Sequence, residues 1–106
     1  MELFRYRRED GVEPFTEWVN ALRDKAAQAR VRVRLLRLAT GSFGDCEPVG
    51  EGVSELRIHV GAGYRVYFGR RGESLVILLC GGDKRTQTRD IATAKKYWES
   101  YKRRTS

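Results

Sequence analysis

The sequence VSELRIHVGAGYRVYF at residues 53–68 contains the clearest structural pattern in the chain. Apolar and polar side chains alternate on both sides of Gly61-Ala62-Gly63, which predicts two antiparallel strands joined by a tight turn. One face of this hairpin is apolar and should cover a core. The other face carries Arg57, His59 and Arg65, and we take it as the candidate functional site because a sheet holds side chains rigidly.

The residues before the hairpin predict one strand and two helices. Residues 1–8 are typical of a short edge strand. Pro14 suits the first turn of a helix, and apolar residues follow it at helical spacing. Asp24 is a suitable N-cap for a second helix, for which Gly41 provides the stop. The two helices should form an antiparallel hairpin that covers the apolar side of the sheet.

The residues after the hairpin predict a buried strand and a final helix. Six consecutive apolar residues, 75–80, indicate a central strand that is covered on both faces. Helical spacing then predicts a helix over about residues 87–103, in which Trp98 and Tyr101 share the apolar stripe and are core anchors rather than base-stacking platforms. The sequence thus predicts one α+β domain, residues 1–106, in the order β-α-α-β-β-β-α, with a mainly antiparallel sheet packed against the helical hairpin and a C-terminal helix.

Residues 40–52 are predicted to form a loop that contains Pro48 and several glycines. A loop of this length either packs across the end of the sheet or has a function of its own, and the sequence leaves both open. Cys46 lies in this loop and Cys80 in the buried strand, without the spacing of a metal site, so two free thiols in a reducing cytoplasm are expected. No stretch has the length of a membrane span or of a signal sequence.

The net charge of +7 is unevenly distributed. Residues 1–53 contain nine basic and nine acidic side chains, whereas residues 54–106 contain twelve basic and five acidic ones. This asymmetry favours a polyanionic partner, with nucleic acid before a membrane surface, although charge can also serve solubility alone. Arg30, Arg34 and Arg37 make a stripe on the second helix that is either a solvated face or a contact for RNA or an acidic partner.

Two glycine-containing segments present further cations. Gly69-Arg70-Arg71-Gly72 predicts a tight basic turn, and Gly81-Gly82 predicts a flexible pair that presents Lys84 and Arg85 at the end of the buried strand. Neither segment has the spacing of a phosphate-binding P-loop, and Gly61-Ala62-Gly63 precedes a strand rather than the helix of a dinucleotide-binding fingerprint.

Several motifs resemble those of the RelE/ParE superfamily of bacterial toxins, and in particular its HigB-like branch, the addiction module killer proteins. They are Trp18, GVSELRI at residues 52–58, GYRVYF at residues 63–68 and LCGGDK at residues 79–84. The resemblance extends from about residue 3 to residue 98. It implies a toxin of a type II toxin-antitoxin system with a cognate antitoxin, usually one with a helix-turn-helix domain. In RelE-like members it implies a ribosome-dependent mRNA endonuclease that uses no metal and no cofactor.

The resemblance also suggests roles for single residues. Arg65 matches the arginine that the family places against the scissile phosphate, and a planar guanidinium suits that oxyanion. Arg57 is assigned to phosphate orientation. His59 aligns with a candidate general base, although a histidine that merely satisfies a sheet-edge partner explains it as well. Lys84, or Arg85 beside it, falls where a cation would stabilise the leaving oxygen.

One departure from the family concerns the last helix. Some members carry a catalytic tyrosine early in that helix, where this chain has Asp90-Ile91. Tyr67, on the polar face of the hairpin, is the predicted substitute and would stack on an RNA base. Arg70, Arg71 and Arg85 are predicted as further RNA contacts. The departure keeps two alternatives open: a ParE-like toxin that inhibits DNA gyrase without cleaving anything, and a non-toxic nucleic-acid-binding module.

Overall fold

A computed structural model describes residues 1–105. The strands are β1 (Glu2–Arg5), β2 (Cys46–Gly50), β3 (Val53–Ile58), β4 (Tyr64–Arg71) and β5 (Leu75–Gly82). The helices are α1 (Pro14–Ala21), α2 (Lys25–Ala39) and α3 (Gln87–Thr105), and a short 3-10 turn, Lys84–Thr86, precedes α3. The α+β class is confirmed, and so are the three helices.

The five strands form one sheet in the order β1-β5-β4-β3-β2. Strand β1 is an edge strand and runs parallel to β5, whereas every other pair is antiparallel. The predicted hairpin is β3 and β4, in which Arg57 lies directly opposite Arg65 and Glu55 opposite Tyr67. The period-two pattern therefore identified both strands and the side chains that share each face of the hairpin.

The sheet is covered on both faces, which gives three layers. On one face, Leu56, Val66 and Phe68 of the hairpin pack with residues of α1 and α2. On the other face, Tyr67 and alternate residues of β5 pack with Ala94 and Trp98 of α3. The continuous apolar run of β5 follows from this arrangement, because its successive side chains enter the two cores in turn.

The helix boundaries follow the predicted signals. Pro14 occupies the first position of α1, where a missing N–H costs nothing. The Asp24 carboxylate accepts a hydrogen bond from the Ala27 amide at 3.0 Å and so caps α2. Trp98 is buried, and its ring stacks on that of Tyr101 at a centroid distance of 5.5 Å. The prediction that both aromatics belong to the core side of α3 is confirmed.

The prediction of a loop over residues 40–52 is wrong, because this segment contains β2. The observed order is thus β-α-α-β-β-β-β-α, with one strand more than predicted. Strand β2 pairs with β3 at the edge of the sheet and has a register irregularity between Pro48 and Gly50. Proline and glycine argue against a central strand, but both are tolerated at an edge or a bulge.

The glycine pair Gly81-Gly82 is also not the predicted flexible segment. Both residues belong to β5, and a Cβ on Gly81 would lie 2.2 Å from the ring of Trp18. A Cβ on Gly82 would lie 1.8 Å from the carboxylate of Asp90. These glycines are therefore places where helices approach the sheet closely, rather than a hinge.

Both cysteines are free thiols, as expected. Cys80 is buried in β5, and burial raises the pKa of its thiol to about 12. Among the described residues, no helix combines the length and the apolar character needed to cross a membrane.

Candidate functional site

A groove of about 400 Å³ lies at the turn between β3 and β4. Its walls are the turn itself, residues 59–63, and the side chains of Arg57, His59, Arg65 and Lys84. We call it the hairpin groove. All four residues that the sequence assigned to catalysis thus line one cavity, and their chemical roles stay predictions.

A buried carboxylate contacts both arginines of the groove. Glu55 is fully buried and accepts a hydrogen bond from Arg57 Nε at 2.9 Å. Arg65 Nε lies 3.5 Å from the other oxygen of Glu55. The same carboxylate also accepts hydrogen bonds from the Tyr67 hydroxyl at 3.0 Å and from Gln87 Nε2, at the start of α3, at 2.9 Å.

This arrangement explains how two arginines can face each other. Like charges directly opposite on neighbouring strands repel, and a carboxylate between them offsets that repulsion. Burial by itself would raise the pKa of Glu55, but hydrogen bonds from Arg57, Gln87 and Tyr67 and the charge of Arg65 outweigh it and hold the pKa below its usual value. Glu55 therefore stays ionised and keeps both guanidinium groups in place.

Arg65 is the more enclosed of the two arginines. Its side chain is 12% exposed, against 30% for that of Arg57. Arg65 Nη1 donates to the Gly63 carbonyl at 2.9 Å, which ties the side chain to the turn. Its Nε is buried and makes no hydrogen bond within residues 1–105. A positive group that is fixed and only partly compensated is suited to binding an anion.

His59 occupies a different position from the predicted one. Strand β3 ends at Ile58, so His59 lies in the turn rather than on the strand face. Its side chain is exposed, and Nε2 donates to a carboxylate oxygen of Asp45. This hydrogen bond is the main reason that the pKa of Asp45 is held below its usual value. Because an ionised carboxylate only accepts, Nε2 carries a proton, and in the neutral form of the imidazole Nδ1 therefore keeps the lone pair.

Lys84 stands across the groove from the turn. Its Cβ lies 3.5 Å from where a Cβ on Gly63 would be, and its side chain is exposed. Within the described residues it makes no ion pair, so its ammonium group is free for a ligand. The neighbouring Arg85 is 84% exposed and pairs with Asp83 at 3.1 Å.

Tyr67 cannot have the predicted stacking role. Its side chain is fully buried beneath α3, and its hydroxyl is bound to Glu55. Burial and the adjacent Glu55 carboxylate both raise the pKa of this phenol. Tyr67 is on the predicted face of the hairpin, but α3 covers that part of the face, so the residue supports Glu55 instead of meeting a base.

Arg70 and Arg71 are distant from the hairpin groove. They follow Arg65 by five and six residues along β4, which places Arg71 about 20 Å away. The Arg70 guanidinium lies over the Phe43 ring at 4.9 Å, and Arg71 Nη2 donates to the Thr105 carbonyl at 3.0 Å. The structure does not bring them together with Arg57 and Arg65, and their contact with RNA stays a prediction.

The start of α3 offers no substitute for the missing tyrosine. Asp90 is buried, accepts a hydrogen bond from the Thr86 hydroxyl and packs against Gly82. Within residues 1–105, no three side chains of the types that ligate metals converge on one point.

Sequence reasoning missed the supporting residues of the site. Glu55, Asp45 and Gln87 were not among the residues predicted for the site. The available signal was the position of Glu55, which lies two residues before Arg57 and therefore on the same face of β3. Nothing in the local sequence indicates that β2 and α3 bring Asp45 and Gln87 to this site.

Fold and groove together define a small α+β protein with a cavity lined by cationic side chains at the end of a β-hairpin. A family model, phage derived protein Gp49-like (DUF891), matches residues 17–103. The chain therefore belongs to the Gp49-like family, which is a family of RelE/toxin-like proteins. It is also 49% identical over 81 residues to an uncharacterized protein of Haemophilus influenzae. This match covers 76% of this chain and 82% of the relative.

Proposed function

We propose that this protein is the toxin of a type II toxin-antitoxin system, of the HigB-like branch, and that it cleaves mRNA on the ribosome. The observation that carries the proposal is the convergence of Arg57, Arg65 and Lys84 on one groove above a buried Glu55. Membership of a RelE/toxin-like family supports the toxin assignment.

In this mechanism a 2′-hydroxyl of RNA attacks the adjacent phosphate. The reaction needs a base at the hydroxyl, cations at the phosphate and a proton or positive charge at the leaving 5′-oxygen. His59 takes the hydroxyl proton through Nδ1, because Asp45 holds Nε2. Arg65 and Arg57 stabilise the charge that develops on the phosphate, and Lys84 stabilises the leaving oxygen.

Ordinary growth and RNA assays test the proposal in cells. Wild type, Arg65→Ala and Lys84→Ala are induced separately without an antitoxin. The wild type should arrest growth and create new mRNA 5′ ends in phase with codons, and both variants should lose these effects. If both variants arrest growth as the wild type does, the proposed site is wrong.

A specific observation favours one alternative, a ParE-like toxin that inhibits DNA gyrase. The α3 position of the family tyrosine is occupied by a buried, hydrogen-bonded Asp90, and Tyr67 is covered by α3. The groove therefore has fewer groups for proton transfer than the endonucleases of the superfamily. Growth arrest with inhibited supercoiling and no new RNA ends would establish this alternative instead, whereas induction without harm to the cell would indicate a non-toxic binding module.

The proposal requires an antitoxin, and we expect one with a helix-turn-helix domain. This expectation rests on the toxin family, because the exposed apolar side chains Leu36 (71%) and Phe4 (50%) line different surfaces and form no shared patch. A short helix-turn-helix reading frame next to this one, whose product restores growth and co-purifies with the toxin, is the expected finding.

A further inference from the structure

A second positively charged cavity lies beside the hairpin groove, on the side of α2. We call it the α2 groove, and its volume is about 300 Å³. Arg30, Arg34 and Arg37 form one wall, and Asp45 and His59 form the other. The three arginines follow one another at spacings of four and three residues, so they lie on one face of the helix.

Arg34 is the fixed member of this wall. Its Nη1 donates to the Arg57 carbonyl, and its Nη2 lies 3.3 Å from the Phe43 carbonyl and 3.4 Å from that of Asp45. These acceptors are neutral, so they satisfy the donors of Arg34 without cancelling its charge. Arg34 thus joins α2 to the strands and leaves a positive potential in the groove.

Arg30 and Arg37 are the accessible members. Both side chains are exposed, and within residues 1–105 neither guanidinium forms an ion pair or a hydrogen bond. Among the described residues, Asp45 supplies the one carboxylate that lines the groove, and it is engaged by His59. Both guanidinium groups can therefore bind an incoming anion without first breaking a contact.

The two grooves are neighbours. Ile58 and His59 line both of them, so a chain that leaves the hairpin groove past His59 meets the α2 groove next. Among residues 1–105, the one large apolar side chain that lines the α2 groove, Ile58, is buried. A protein segment would find no apolar pocket to anchor it here, whereas a phosphodiester chain needs only the cations.

From this adjacency we infer that the α2 groove binds the backbone of the same single-stranded RNA whose phosphate occupies the hairpin groove, through Arg30 and Arg37. The inference rests on the proposed function and extends it from one phosphate to a path along the strand. An RNA that spans both grooves should therefore bind more tightly than one that fills only the hairpin groove.

The test compares two RNA oligonucleotides, one of three nucleotides and one of about ten, by fluorescence anisotropy. Arg30→Gln and Arg37→Gln should each weaken binding of the longer RNA about threefold to tenfold at 0.1 M salt, because each removes one phosphate contact. Binding of the short RNA should change less than about twofold. Arg32→Gln is the matched control, since Arg32 is an exposed arginine of the same helix that lines a different surface, beside β1.

Three outcomes would overturn the inference. The first is that the Arg30 and Arg37 variants bind both RNAs as Arg32→Gln does. The second is that they lose affinity for the antitoxin but not for the longer RNA, which would make the α2 groove a protein-binding site. The third is that they lose affinity only for empty ribosomes, which would place ribosomal RNA in the groove instead of the substrate strand.

Failure of this inference is distinguishable from failure of the proposed function. Cleavage of ribosome-bound mRNA by Arg65→Ala reports on the proposed function alone. If that variant is inactive and Arg37→Gln binds RNA like Arg32→Gln, only the α2 groove is wrongly assigned. If Arg65→Ala cleaves like the wild type, the proposed function fails, whatever the α2 variants do.

Discussion

Glu55 is the residue on which the geometry of the hairpin groove most depends. It is the only fully buried carboxylate among the described residues, and it contacts both arginines of the groove. Acidic side chains are rarely buried in this way unless they are paired. The charge of Glu55 compensates one of the two guanidinium charges, and the other is offset only by Glu47, which lies 3.5 Å from Arg57 at the surface.

Replacing Glu55 by Gln removes the charge but keeps the shape of the side chain. We expect a loss of about 2 kcal/mol in the free energy of unfolding, because Arg65 then stays enclosed without its counter-charge. Urea denaturation measures this loss. Glu47→Gln is the control, since Glu47 lies 3.5 Å from Arg57 but is 59% exposed, and it should change stability by less than about 0.5 kcal/mol. Equal effects of the two substitutions would contradict the assigned role of Glu55.

The pH dependence of stability provides a second test of Glu55. Its folded pKa is depressed below its unfolded value, so the folded protein releases this proton more readily. The contribution of Glu55 to stability is thus complete at neutral pH and is lost as the pH falls through the unfolded and then the folded pKa. The slope of unfolding free energy against pH should be smaller in Glu55→Gln than in the wild type below about pH 5. Parallel slopes would show that Glu55 is not held ionised by its partners.

At the scale of elements, helix α3 is placed by the approach of Trp98 to Gly69 of β4. A Cβ on Gly69 would lie 2.5 Å from the indole ring, which is closer than packed atoms come. The position of α3 in turn brings Gln87 to Glu55 and covers Tyr67. The geometry of the groove therefore depends on a contact about three turns further along the helix.

Gly69→Ala tests this dependence. In an ordinary strand, alanine instead of glycine is neutral or stabilising, but here we expect a loss of about 1–3 kcal/mol because the indole must move. In a Trp98→Leu background the same substitution should cost less than about 0.5 kcal/mol, since the clash is gone. Urea denaturation of the four proteins of this cycle gives the coupling. Equal losses in the two backgrounds would show that the contact does not position α3.

The elements show which parts of the fold the sequence predicts. Residues 53–68 predicted β3, β4 and the side chains that share each face, because one face of the hairpin is apolar over its whole length. Strand β2 was missed because Pro48 and its flanking glycines are typical of a loop, and only pairing with β3 makes the segment a strand. The local pattern also extended β3 through His59, whereas the turn withdraws that residue toward Asp45.

The sequence predicted only part of the candidate site. Arg57 and Arg65 share a face by the period of two, and Lys84 follows the neighbouring strand, so their convergence could be expected from topology. The roles of Glu55 and Tyr67 could not be predicted from the sequence, because the burial of a charged or hydroxylated side chain depends on which helix covers it. The covering helix, α3, comes from a distant part of the chain.

At the scale of the whole molecule, the distribution of charge accounts for the expected partner. The surplus of +7 comes from residues 54–106, which contribute Arg57, Arg65 and Lys84 to the hairpin groove. Arg30 and Arg37 extend the positive surface through the α2 groove, although they belong to residues 1–53, in which basic and acidic side chains are equal in number. The two grooves lie side by side, with Ile58 and His59 lining both.

Salt dependence of RNA binding tests this electrostatic account. If about four phosphates are contacted, the affinity for single-stranded RNA should fall roughly 50-fold between 50 and 200 mM salt, because bound counterions are released on association. Fluorescence anisotropy at several salt concentrations gives the slope, and Arg65→Ala should make it shallower. An affinity that does not change with salt would remove the electrostatic basis for RNA binding.

The central claim is that a fixed guanidinium fork on the hairpin promotes cleavage of RNA. The most direct measurement is the single-turnover rate at which the purified protein cleaves ribosome-bound mRNA, compared between wild type and Arg65→Lys. Lysine keeps the positive charge but loses the planar donors, so we predict a rate at least about 100-fold lower. Arg32→Ala should cleave within about twofold of the wild type, because Arg32 lines another surface. A folded Arg65→Lys protein that cleaves at the wild-type rate would contradict the claim.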